Sequence, residues 1–98
     1  MYATTKSWPF KDPTNMSVFS IQQIVFGKQP ILHVTHDADD GSWQFLGTET
    51  PSESDLVVVG LEEICDLDPS IKELADLPVG WEAWRSEKTA VWVKSKAD

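Results

Sequence analysis

The most constraining feature of this chain is an Asp-Gly pair set between two alternating runs. Residues 33–45 read HVTHDADDGSWQF, with Asp40-Gly41 between ILHVTHD and SWQFLGT. Asp-Gly between such runs is a strong hairpin signal, because a type I′ turn needs positive φ at both central residues. With Asp40-Gly41 as a two-residue loop, His36 faces Phe45, Val34 faces Gly47 and Ala38 faces Trp43. Leu32, Val34, His36, Trp43 and Phe45 then share one face. His33, Thr35, Asp37, Gln44, Leu46 and Thr48 share the other. A one-residue slip would exchange the faces, so this segregation supports the register.

The rest of the chain supplies partners for the hairpin. SVFSI (17–21) reads as a short strand and LVVV (56–59) as a buried-type strand. QQIVFGK (22–28) fits either one helical turn or a continued strand, ended by Gly27. ETPSESD (49–55) is a loop by composition. Residues 60–78 are helical in two pieces. Leu61, Ile64 and Cys65 share a face of the first. Asp68 is placed to cap the second, with Pro69 at its first position, and Ile71, Leu74 and Ala75 recur at helical spacing. GWEAWRS and TAVWVKS then read as strands around Glu87-Lys88, with Trp84 and Trp92 both expected on the less buried side. The order predicts an α+β fold: an antiparallel sheet of about five strands with two short consecutive helices packed on one face. The 98 residues make a single domain, with 1–15 as an extended N-terminal arm pinned by Trp8 and Phe10.

Charge and cysteine usage narrow the function. Sixteen acidic residues stand against eight Lys and Arg, a formal charge of −8. Phosphate-rich partners need clustered bases, so nucleic acid and anionic membrane are not expected partners. A basic protein partner, a cation or simple solubility is compatible with this charge. One cysteine, Cys65, excludes an internal disulfide and suits a reducing cytoplasm. The first fifteen residues lack a basic-then-apolar leader pattern, and no apolar run approaches a membrane span.

Three candidate chemistries arise. The cluster His33, His36, Asp37, Asp39 and Asp40 has zinc-ligand residue types. Strand parity puts the two histidines on opposite faces, so His33 and Asp37, which share the polar face, are the remaining metal candidates. DADDG lacks the calcium-loop spacing: counted from Asp37, Gly41 is fifth, and Thr48 occupies the place of the bidentate Glu. No cofactor is expected. His36 with Asp37, or His33, has the residue types of an acid–base pair, but no nucleophile motif or phosphate loop accompanies them. A structural role for His36, hydrogen-bonded across the hairpin, and a core role for Cys65 are the plainer readings. The third candidate is a surface. Glu62, Glu63, Asp66, Asp68, Glu73 and Asp76 stripe the helical region against Lys72 alone. With Trp84 and Trp92 they would form an acidic, aromatic-anchored face for binding another protein.

WPFKDPTN, ILHVTHDADDGSWQF and LDPSIKELADLPVGWEAWR resemble segments of a family of small bacterial proteins grouped as a domain of unknown function. The resemblance spans nearly the whole chain and implies no reaction. LEEICDLDPSIKELADLPVGWEAWR is also similar, more loosely, to immunity proteins of bacterial toxin systems. That likeness implies an acidic inhibitor whose helical face covers a toxin, and it carries over no contact residue. The sequence thus predicts a non-catalytic protein-binding module. An immunity-type inhibitor, or a metal-dependent or acid–base enzyme using the hairpin 33–41, are the alternatives.

Overall fold

A computed structural model describes residues 8–27 and 29–97. The strands are β1 (Ser17–Ile21), β2 (His33–His36), β3 (Trp43–Leu46), β4 (Leu56–Gly60), β5 (Trp81–Trp84) and β6 (Val93–Lys96). The α-helices are the single turn α1 (Gln22–Val25) and α2 (Leu61–Leu67), which a 3-10 helix, Pro69–Leu74, follows. All six strands form one sheet in the order β4-β1-β3-β2-β5-β6. The α+β class holds. The sheet has six strands rather than about five, and it is mixed: β1 runs parallel to β3, while the other neighbours are antiparallel. The parallel contact arises because β2 lies two places from β1 and the hairpin returns β3 between them, in the direction of β1.

The hairpin forms, but not with a two-residue loop. His36 pairs with Trp43 and Val34 with Phe45. The loop closes where the Asp37 N–H donates to the Ser42 carbonyl at 2.8 Å. The aspartates lengthen it: the Asp37 carboxylate accepts from the Asp39 N–H at 2.8 Å, and that of Asp40 from the Ser42 N–H at 2.9 Å. These side chains satisfy loop donors that a tighter turn would pair by backbone. Gly41 takes the left-handed conformation, φ 74°, which costs glycine no Cβ clash. The expected and observed registers differ by two residues. Two is the side-chain period of a strand, so every side chain keeps its expected face.

One face of the sheet is covered. Val18, Val34, Trp43, Phe45 and Ala83 are buried against Leu61, Ile64, Cys65, Ile71, Leu74 and Leu77. The topology explains the coverage. β4 lies at one edge and β5 beyond β2, so the connection between them must cross the sheet. Its two helical pieces do so with apolar sides inward. Burying each of the larger side chains contributes on the order of 2–3 kcal/mol. The junction of the pieces is capped as expected, with Asp68 Oδ1 accepting from the Ser70 N–H at 3.0 Å; the second piece tightens to 3-10 geometry.

The expected arm is pinned where it is described. Phe10 is buried and sits edge-on to Trp43, centroids 5.5 Å apart. Trp43 Nε1 donates to Asp12 Oδ2 at 2.9 Å. Residues 1–7 of the arm lie outside the described residues. Two expectations fail. LVVV is not buried on both sides: it is an edge strand, and Leu56 and Val58 are exposed. Trp92 is not on a less buried side but is itself buried. It precedes β6, in the connection from β5, so strand parity does not govern it.

Candidate functional site

The two histidines occupy opposite faces and do different work. His36 lies on the covered face, where its ring stacks on Trp43 at 3.8 Å between centroids. Its Nδ1 is 2.7 Å from the Leu77 carbonyl. A carbonyl can only accept, so this nitrogen carries the proton. His36 is thus a structural histidine, but its partner comes from the helical crossover rather than from across the hairpin. His33, on the other face, meets Glu82 on β5, Nε2 to Oε1 2.8 Å. The pairing of His33 with Trp84 and Thr35 with Glu82 across β2 and β5 brings them within reach.

The acidic hairpin does not assemble a metal site. Among the described residues no group of three or more His, Cys, Asp or Glu side chains is placed to hold an ion. Asp37 spends its carboxylate on the loop, not on His33. The Ser42 hydrogen bonds hold the exposed Asp40 carboxyl below its ordinary value. Cys65 is buried on the inner side of α2. Desolvation pushes its thiol up to about 11, so it stays protonated and unreactive near neutrality.

The expected binding surface is divided by the fold. Glu62, Glu63, Asp66, Glu73 and Asp76 are exposed on the helical layer. Trp84 is exposed too, but Ala83 beside it faces that layer, so Trp84 faces away. An acidic, aromatic-anchored face therefore does not exist as one surface. Some of these acids are also engaged. Glu63 accepts from the Gly60 N–H at 2.8 Å, capping α2. Asp76 lies 3.6 Å from Lys94.

Asp68 leaves that stripe altogether, because it is buried against Arg85. Arg85 Nη2 donates to Asp68 Oδ2 at 2.5 Å and to the Ile31 carbonyl at 2.9 Å. Its Nε also reaches Ile31, at 3.1 Å, and its Nη1 the Ser70 hydroxyl, at 3.0 Å. The guanidinium lies 4.0 Å over the Trp92 ring, which explains the burial of that indole. Burial by itself would raise the Asp68 carboxyl. The hydrogen bonds from Ser70 and Arg85 outweigh it, and the net shift is downward. Arg85 thus ties together the approach to β2, the helix junction and the β5–β6 connection. The sequence signal for its inward position was parity with Ala83; its partners are remote in sequence.

The open face of the sheet carries the feature that sequence reasoning missed. Phe19 (38% exposed), Leu56 (46%), Val58 (59%), Trp84 (48%) and Val93 (45%) lie on it. Toward β4 they continue into an open groove of about 380 Å³ lined by Phe19, Gln44, Leu46, Thr50, Pro51 and Leu56. LVVV is apolar at every position and so gives no signal of its own, while strand geometry alternates Leu56 and Val58 with Val57 and Val59. In an edge strand with one covered face, that alternation leaves two large apolar residues in water. No helix among the described residues is long and apolar enough to cross a membrane. No protein-family model, curated protein or solved structure matches the chain.

Proposed function

We propose that this chain acts by binding another protein, without catalysis of its own, and that the contact surface is the open face of the sheet. One observation carries the reading: large apolar side chains stand exposed on that face at both ends, Phe19, Leu56 and Val58 toward β4, and Trp84 and Val93 toward β6. The neighbouring Phe19, Leu56 and Val58 form exposed apolar surface of the kind that marks interaction sites, and an aromatic anchor such as Trp84 is suited to dominate affinity. The net charge of −8 favours a basic partner. An inhibitor that seals a basic surface of a toxin, as immunity proteins do, is one form this activity would take. The histidines favour no reaction, since each is held in a separate pairing.

The test is a pull-down from the native host at low and high salt, with the wild-type chain beside Val58→Lys/Trp84→Lys. Both substitutions fall on exposed positions, and circular dichroism checks that the fold is kept. The expected result is a protein retained by wild type and lost by the variant. Recovery of nothing by wild type at either salt, or equal recovery by both chains, would overturn the reading.

A further inference from the structure

The two edges of the sheet are built differently. β6 carries Lys94 and Lys96 within its four residues, and charged side chains, lysine above all, are the usual device that stops an edge from recruiting another strand. β4 reads LVVVG and carries no charge. It pairs with β1 on one side, and among the described residues no strand pairs with the other.

The hydrogen-bond phase shows what that free side offers. The Leu61 N–H donates to the Met16 carbonyl at 2.9 Å, which fixes the alternation of the antiparallel ladder. Val57 and Val59 therefore bond inward to β1, while Leu56, Val58 and Gly60 point their backbone groups outward. Two of those outward donors are occupied. The Leu56 N–H goes to the Glu53 carbonyl, and the Gly60 N–H to the Glu63 carboxylate. Val58 presents both N–H and C=O, with a side chain 59% exposed beside them.

Charge says what would fit there. Glu53 and Asp55 stand just before the strand, and Glu62 and Glu63 just after it. From Asp37 to Ile71 there is no Lys, Arg or His at all. Among the described residues none of these four carboxylates has a cationic partner. The edge is an uncharged apolar strand bracketed by acid at both ends.

The geometry points to strand addition at β4: an extended segment of a partner protein, apolar in its middle and basic at its ends, pairs with Val58 and continues the sheet. This inference rests on the protein-binding reading and names the chemistry of its partner. Main-chain hydrogen bonds supply affinity, as in other strand-addition sites, and here the bracketing carboxylates supply selection. A second copy of this chain is a poorer occupant, because each copy brings the same acidic flanks to the contact.

The probe is a fluorescein-labelled peptide, Lys-Lys-Val-Thr-Val-Thr-Val-Lys-Lys, whose five central residues match the length of β4. It is titrated against the whole chain by anisotropy, beside a Glu-flanked version of the same core. Binding of the basic peptide is expected to weaken with added salt and to slow hydrogen exchange at the Val58 amide. Val58→Pro removes the open donor, and on an edge strand proline is tolerated. Loss of one or two such bonds should lower affinity by about tenfold or more. Val58→Lys is the second variant, and Val91→Ser, at an exposed position outside the contact surface, should bind as wild type does. Equal binding of the acidic peptide, or full binding by Val58→Pro that keeps its fold, would overturn strand addition. So would a concentration-dependent dimer that Val58→Pro abolishes and the peptide leaves intact. A null peptide titration with a successful pull-down sinks strand addition alone, while failure of both sinks the wider reading.

Discussion

The covered and open faces of this sheet each hold a hydrogen-bonded side-chain pair, one from Arg85 just after β5 and one from Glu82 within it, and the two differ in nearly every consequence. Arg85 and Asp68 are buried, their side chains 1% and 9% exposed. His33 and Glu82 are 34% and 31% exposed. In the first pair the charges have left water, and each depends on the other and on Ile31 and Ser70 for compensation. In the second, solvent competes for the hydrogen bond and accepts either group if it is freed. The covered face is therefore where the fold is specified. The open face is where substitutions are free to serve binding.

The sharpest test of this contrast is Arg85→Ala, which strands the Asp68 carboxylate in the interior and uncovers Trp92. A loss of about 3–5 kcal/mol in urea unfolding is expected. A cost under 1 kcal/mol would break the comparison. The same pair sets an acid response. The folded Asp68 carboxyl lies below its ordinary 3.8, so its stabilisation is complete above that value and is lost as pH falls through the lowered folded value. Stability measured between about pH 5 and pH 2 should accordingly fall less steeply in Arg85→Ala than in wild type, because the mutant carboxyl no longer titrates so low.

On the open face Glu82→Gln should cost less than about 1 kcal/mol, given the discount that solvent imposes on an exposed pair. A cost comparable with Arg85→Ala would mean the open face is covered in solution. Smallest of all, Trp84→Lys should shift stability by no more than about 0.5 kcal/mol. A larger loss would show that the indole is part of the packing rather than available to a partner.

Legibility in the sequence followed the range of the forces involved. The Asp-Gly hairpin, the Asp68-Pro69 helix start and the inward residues of both helical pieces were readable, because each depends on neighbours a few positions away. The hairpin register was off by two because Asp37 and Asp40 bond loop amides, a side-chain choice that strand alternation does not report. Trp92 was misplaced because its environment is the Arg85 guanidinium, and nothing local ties the two together.

The candidate site was less legible than the fold. Glu62, Glu63, Asp66, Glu73, Asp76 and Trp84 are exposed as expected, while Asp68 is buried, and a list of exposed residues does not say which ones share a surface. Only the crossing of α2 and the 3-10 helix over a single face put the carboxylates on one side and Trp84 on the other.

What the sequence determined by itself is the hairpin with its two faces, the start of the second helical piece at Asp68-Pro69 and the inward sides of both helical pieces, since propensity, capping and period are local. The order β4-β1-β3-β2-β5-β6 was decided by tertiary structure alone. It made LVVVG an edge instead of a buried strand, brought Asp68 to Arg85, and left Phe19, Val58 and Trp84 facing outward together. Which strand lies beside which depends on how the whole chain best buries its apolar area, and that is a property no short stretch of residues carries.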